Sequence, residues 1–332
     1  MRVGFLGIGS WGFCLAHLLA SKGYKVISWS RSPSEVLHLK EKRYHPRFLS
    51  TKALDNMVFT NEMALVLENS DLIVESVTAA GVRPVFEQVK TLGIPTCPIV
   101  LTSKGIEQDT ELLLSEVLMD VLGADTKNII TCLSGPSLAE EVIYQMPTSV
   151  VVAGYKLDPM NFVRDIFTTA HFRVYSNSDI LGVQFGGAMK NIMAIACGIS
   201  DGIGYGDNTR AALMTRGLHE MRRLAKTKHA RAETLNGLSG MGDLVVTCTS
   251  SLSRNFRYGN LIGKGMSPKE AREQIGAVVE GSYSAVSAMQ LARDHNIVIP
   301  ITQAIYQVIY EKLSPLEAVK QLMVRAPKEE LL

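Results

Sequence analysis

Gly7-Ile8-Gly9-Ser10-Trp11-Gly12 lies between a short apolar run, Arg2–Leu6, and a longer one, Phe13–Ser21. The predicted order is strand, turn, helix. In a G-x-G-x-x-G turn the first glycine allows a tight bend and the second lets backbone approach a pyrophosphate. The third lets the helix pack closely on the strand. Free N–H groups and the positive dipole end of the helix then face the phosphates. Gly23 closes the helix, and Lys25-Val26-Ile27-Ser28-Trp29 supplies a second strand ending at Ser30-Arg31. The motif by itself is weak. Its strand–turn–helix–strand setting makes Gly7, Gly9 and Gly12 expected contacts of a bound dinucleotide.

The end of the second strand refines the cofactor. An NAD site usually carries Asp or Glu about 20 residues beyond the glycines, on the ribose 2′-hydroxyl. This chain has Ser30-Arg31 there, with no carboxylate before Glu35. The planar, charged fork of Arg31 suits a 2′-phosphate, although an ordinary exposed loop arginine would look the same. NADP (as NADPH) is the expected cofactor, with some use of NAD.

Strand and helix signals alternate up to about Tyr175. Buried strands are predicted at Asp71–Val77, Pro98–Thr102 and Asn128–Leu133, strand-like segments at Thr148–Ala153 and Phe172–Tyr175, and a helix at Thr110–Leu122. From Asp179 onward helices dominate: Ile180–Gly198, Thr209–Thr227, Arg254–Lys264, Ser267–Ile275, Tyr283–His295 and Thr302–Glu311. The expected fold is α/β, a Rossmann-like, doubly wound, mostly parallel sheet with a second, all-helical domain. A chain of 332 residues exceeds what one core usually serves, so two domains are expected, 1–178 for the dinucleotide and 179–332 for the substrate.

Composition excludes several classes of function. A net charge of +2 gives no bulk attraction to nucleic acid or to a membrane surface. The five cysteines are scattered, without C-x-x-C or a Cys/His cluster, so neither a disulfide framework nor a metal site is expected. Glycines interrupt the apolar N-terminus, which argues against a signal peptide. No stretch offers the roughly 18 uninterrupted apolar residues of a spanning segment. A cytoplasmic enzyme without membrane insertion is the expectation.

Candidate chemistry falls at strand ends and in the helical half. Lys190 interrupts the apolar run Gly186–Ala196. It either snorkels its ammonium to water or is a desolvated amine able to exchange a proton near neutral pH. Lys104 follows a strand in Thr102-Ser103-Lys104-Gly105, and alone would read as a solvated loop lysine. Ser134-Gly135-Pro136-Ser137 precedes a helix. Ser137 with Glu140 fits a capping box, while the same hydroxyls and N–H groups suit an anionic or hydroxylated ligand. Gly240-Met241-Gly242-Asp243 reads as a turn, or as a carboxylate holding a lysine or a substrate hydroxyl. Ser253-Arg254-Asn255 reads as an exposed helix start, or as a bidentate phosphate clamp. His219 reads as packing.

Taken together, in order and spacing, these segments resemble bacterial-type NAD(P)-dependent glycerol-3-phosphate dehydrogenases. The resemblance runs from the Gly7–Gly12 turn to Val278-Val279-Glu280-Gly281. It implies reversible reduction of dihydroxyacetone phosphate to sn-glycerol 3-phosphate, the backbone for phospholipid synthesis. It implies Lys190 as the proton-transfer residue, aided by Lys104 and Asp243. Lys104, Gly135, Ser137, Lys190, Asp243, Ser253, Arg254 and Asn255 match substrate positions. Ser10, Trp11, Arg31, Lys104, Ala139, Arg254, Val278 and Glu280 match cofactor positions. Trp11 is bulkier than the residues often found there, and Leu138 replaces a common polar residue.

Two rival readings share the fingerprint. A hydroxyacid or hydroxyacyl dehydrogenase would not need Arg254-Asn255, and a non-catalytic NADP redox sensor would not need Lys104, Lys190 and Asp243 together. The expected partner is a phosphorylated small molecule, with a homodimer and no nucleic acid.

Overall fold

A computed structural model describes residues 1–68, 70–326 and 329. The chain forms two compact units, Met1–Ser103 with Leu114–Ile180, and Lys104–Leu113 with Leu181–Leu332.

The first unit is built on a sheet that has eight strands among the described residues. They are β1 (Arg2–Leu6), β2 (Lys25–Trp29), β3 (Met57–Thr60), β4 (Leu72–Glu75), β5 (Ile99–Leu101), β6 (Ile130–Ser134), β7 (Thr148–Gly154) and β8 (Phe172–Asn177). Their spatial order is β3-β2-β1-β4-β5-β6-β7-β8. The first six give 3-2-1-4-5-6, the doubly wound dinucleotide-binding order. Every pair is parallel except β6 with β7. Parallel strands covered on both faces read as continuous apolar runs rather than alternating ones. Ile73 and Val74, like Ile99, Val100 and Leu101, are accordingly buried as neighbours. Because β1, β4, β5 and β6 run the same way, their carboxyl ends line one edge of the sheet. Gly7, Ser76, Thr102 and Gly135 follow those ends.

The second unit is helical, apart from an isolated antiparallel bridge between Ile106 and Leu113. Ile180–Ile203 is long and apolar enough to cross a membrane, but nearly all of it is buried within the protein. Phe185, Met189, Ile192, Met193 and Ile195 from this helix pack with Met221, Leu244, Tyr258 and Leu291 in one core. The other helices include Asp207–Ala225, Asp243–Thr249, Arg254–Gly263, Glu280–Asp294 and Pro300–Tyr310. Ser267 and Glu270 form a capping box ahead of Pro268–Ile275, with Pro in the first turn.

Two expectations need correction. The helix expected at Thr110–Leu122 begins only at Leu114. Asp109 and Glu111 sit at φ of 66° and 60°, left-handed backbone that a helix cannot continue through. A single division between 178 and 179 also fails, because residues 104–113 belong to the helical unit. Ile106 and Leu113 are buried in its core, and Ser287 Oγ donates to Ile106 O at 3.0 Å. Of the 179–332 domain, residues 327, 328 and 330–332 lie outside the described residues.

Candidate active site

In the first unit Gly7 has φ +104°, and a Cβ there would stand 2.5 Å from Ser76 O. One on Gly12 would stand 2.4 Å from Gly7 O. A side chain at either position would collide with backbone, so the turn requires glycine. Gly7 N donates to Trp29 O at 2.9 Å, tying the turn to the end of β2. Gly9 is exposed and caps the helix Ser10–Ser21, which has no side-chain cap and no acidic residue in its first turn. A Cβ on Gly9 would meet nothing within 4 Å. Uncapped N–H groups facing open space fit an anionic pyrophosphate.

Ser10 and Trp11 are partly buried in the first turn of that helix, and Arg31 is exposed just beyond β2. Gly135 and Ser137 follow β6, and Ala139 opens the helix Ala139–Ile143. The capping box expected of Ser137 and Glu140 does not form. Leu138 occupies the cap position, Ser137 Oγ donates to Gly135 O at 2.9 Å, and Glu140 pairs with Arg47 at 2.7 Å. The helix starts one residue late for that motif.

In the second unit three charged side chains from distant parts of the chain meet. Lys104 Nζ lies 2.7 Å from Asp243 Oδ2. Lys190 Nζ contacts Asp243 Oδ1, and donates to Thr247 Oγ1 at 2.9 Å. Side-chain exposure is 19% for Lys104, 9% for Lys190 and 1% for Asp243. Snorkelling of Lys190 and solvation of Lys104 are both excluded. A π-helical turn, Leu238–Gly242, leads directly into Asp243 at the start of Asp243–Thr249. Thr247 stands one helical turn on, hence on the same face.

With both lysines protonated, the cluster carries two positive charges and one negative, in a place poor in water. Burial therefore pushes the Lys190 ammonium down to about 7; the Asp243 carboxylate opposes this and the Lys104 charge adds to it. Two of the three Lys190 ammonium protons are directed at Asp243 and Thr247.

Ser253 Oγ accepts from Phe256 N at 3.3 Å and caps Arg254–Gly263, so Arg254 and Asn255 do start a helix, although Asn255 is not exposed. Asn255 is buried. Its Nδ2 donates to Asn191 Oδ1 at 3.0 Å, and its Oδ1 accepts from Gly281 N at 2.9 Å. Asn255 thus joins the Lys190 helix to the start of Glu280–Asp294, beside Val278 and Glu280. Arg254 is partly exposed, one residue after the cap.

Comparisons with known proteins match nearly the whole chain. The family model for the NAD-dependent glycerol-3-phosphate dehydrogenase N-terminus matches residues 2–159, and that for the C-terminus matches residues 179–320. The chain belongs to the NAD-dependent glycerol-3-phosphate dehydrogenase family. A relative from Protochlamydia amoebophila (strain UWE25), named glycerol-3-phosphate dehydrogenase, NAD(P)+, is 54% identical over 99% of both chains. One of the same name from Chlamydia pneumoniae is 49% identical over 100% of this chain and 99% of that one. The crystal structure of glycerol-3-phosphate dehydrogenase from Coxiella burnetii superposes with a TM-score of 0.93 at 37% identity, over 98% of this chain and 99% of that one. D-mandelate dehydrogenase, solved with NADH and anilino(oxo)acetate, has the same fold at 12% identity and TM-score 0.68, over 96% of this chain and 100% of that one. The fold is thus shared with a protein named for another substrate, so substrate choice must come from side chains.

Two residues of interest escaped the sequence reading. Thr247 lies four residues after Asp243, but the helix Asp243–Thr249 that puts them on one face was not expected from the sequence. Glu75, wholly buried at the end of β4, carries a weaker signal, a lone acid closing an apolar strand.

Proposed function

We propose that this chain reversibly reduces dihydroxyacetone phosphate to sn-glycerol 3-phosphate with NADPH, accepting NADH less well, and that Lys190 exchanges the proton. The observation that carries this reading is the buried cluster of Lys104, Asp243 and Lys190, with an amine poised near neutrality. A bound nicotinamide would supply the hydride to the substrate ketone.

The protein's own part is acid–base and electrostatic. Lys190, as ammonium, donates a proton to the oxygen that gains charge during reduction, and takes it back during oxidation. Lys104 stabilises the same oxygen through its positive charge. Asp243 holds both amines and keeps Lys190 basic enough to be protonated. Arg254 holds phosphate, with Asn255 behind it fixing the helix start to Asn191 and Gly281; the N–H groups of the Gly135–Ser137 loop suit an anionic or hydroxylated ligand. Gly7–Gly12 and the open helix end bind pyrophosphate, Arg31 the 2′-phosphate, and Ala139, Val278 and Glu280 flank the cofactor. The enzyme would act in the cytoplasm as a homodimer, supplying the phospholipid backbone; light scattering measures the assembly.

The decisive assay follows nicotinamide oxidation with dihydroxyacetone phosphate, and in parallel with unphosphorylated dihydroxyacetone. Loss of charge-assisted phosphate contacts should lower kcat/KM by about a hundredfold for the unphosphorylated ketone. Equal rates on the two would remove the phosphate clamp and favour a hydroxyacid-type dehydrogenase. No oxidation with either would favour the redox sensor.

Arg31→Ala tests cofactor choice. NADPH affinity should fall by about tenfold or more, the value of a charge-assisted pair to phosphate, while NADH affinity stays unchanged. Equal losses for both cofactors, measured by nucleotide fluorescence, would take Arg31 away from the 2′-phosphate.

A further inference from the structure

Glu75 ends β4 between Leu6 of β1 and Leu101 of β5, with none of its surface exposed. An aliphatic residue would pack there without the desolvation cost of an acid. Four donors converge on its carboxylate. Oε1 accepts from Val77 N at 2.7 Å and Ser103 Oγ at 2.6 Å, and Oε2 from Thr102 N and Ser103 N, both at 3.3 Å. Ser103 Oγ also contacts Val77 O. One side chain therefore binds two loops. The first, Ser76-Val77, backs the glycine-rich turn through Ser76 O. The second, Thr102-Ser103, continues directly into Lys104, whose amine reaches Asp243. Burial holds the Glu75 carboxyl up at about 7 against the pull of its hydrogen bonds, so this clamp is kept at an energetic cost.

We propose that Glu75 is a positioning residue for turnover: by clamping Ser103 it fixes the backbone from which Lys104 departs, and with it the place of the Lys104 amine beside Asp243. This deepens the reading above and rests on Lys104 acting in the reaction. In this role Glu75 acts on Lys104 through the loop.

The test is a double-mutant cycle in the full chain, with kcat, NADPH affinity by fluorescence, and melting temperature all measured. Glu75→Gln keeps shape but turns an NH₂ toward backbone donors. It should lower kcat by about tenfold to a hundredfold, the range for a lost hydrogen bond to a charged group, with NADPH affinity and melting temperature little changed. In a Lys104→Ala background the same substitution should have no further effect. Ser103→Ala, which removes only the hydroxyl, should act in the same direction but less, and carries the cycle if Glu75→Gln does not fold. The proposal is overturned if the two losses multiply in full, or if folded Glu75→Gln turns over normally. It is also overturned if kcat, affinity and melting temperature fall together, as a purely structural role would have it. A Lys104→Ala variant with normal turnover would remove Lys104 from the reaction and this proposal with it, a result recognisably different from a silent Glu75→Gln beside a damaging Lys104→Ala.

Discussion

Lys190→Met should lower turnover by about a thousandfold, inside the range assigned to a lost general acid–base group, while NADPH still binds. Methionine fills a similar volume in the apolar helix, so the fold should survive. Asp243 keeps its partner Lys104 at 2.7 Å and is not left buried without a countercharge. The effect should therefore fall on kcat, not on binding. The pH profile gives an independent check, because burial places the Lys190 amine at about 7. Reduction needs the ammonium, so its rate should be level below that pH and fall above it. Oxidation needs the free amine, so its rate should fall as pH drops below the same value. The limb near 7 should be missing in both directions from the residual activity of Lys190→Met. A folded variant with near-normal turnover would defeat the assignment.

Asp243→Asn should be the more complex lesion. The carboxylate raises the pKa of Lys190 against burial and against the neighbouring Lys104 charge. Its neutral isostere leaves two amines facing an amide, and Lys190 should shed its proton more readily than in the parent. Reduction at neutral pH then loses its acid and should fall steeply, while the acid limb of oxidation moves to lower pH. Stability should also drop, by about 3 kcal/mol when a buried pair loses one partner. The sign with pH follows from linkage. Lys190 has a folded-state pKa below its ordinary 10.5, and in the variant it is lower still. The unfolded chain thus binds more protons over that window, and stability rises with pH there. The gap in melting temperature between parent and Asp243→Asn should therefore widen as pH falls below 7 and stay level above it. A gap that widens on the alkaline side would show that Asp243 does not hold a protonated lysine.

Local patterns were legible because they obey short-range rules. The glycine-rich turn is recognisable since neighbouring backbone atoms forbid a side chain at Gly7 and Gly12. Parallel strands were visible as short apolar runs between turns. The helix start at Pro268 was readable because a proline suits a helix's first turn, just after Ser267. Where local rules allowed two answers, sequence could not choose. Ser137 and Glu140 have the spacing of a capping box, yet the helix begins one residue late and the box is absent.

What sequence alone determined here is the architecture and the family. The order and spacing of motifs over the whole chain are set by covalent connectivity, and glycine and apolar patterns report directly on backbone shape and burial. Tertiary structure alone decided the state of the charged groups. Lys104, Lys190 and Asp243 are far apart in the chain, and only packing of the helical unit brings them within hydrogen-bond reach. The same packing withdrew water from Lys190, and it drew residues 104–113 out of the sheet unit to put Lys104 there. Charge and proton affinity depend on solvent and on neighbours in space, and neither is written into a residue's place in the chain.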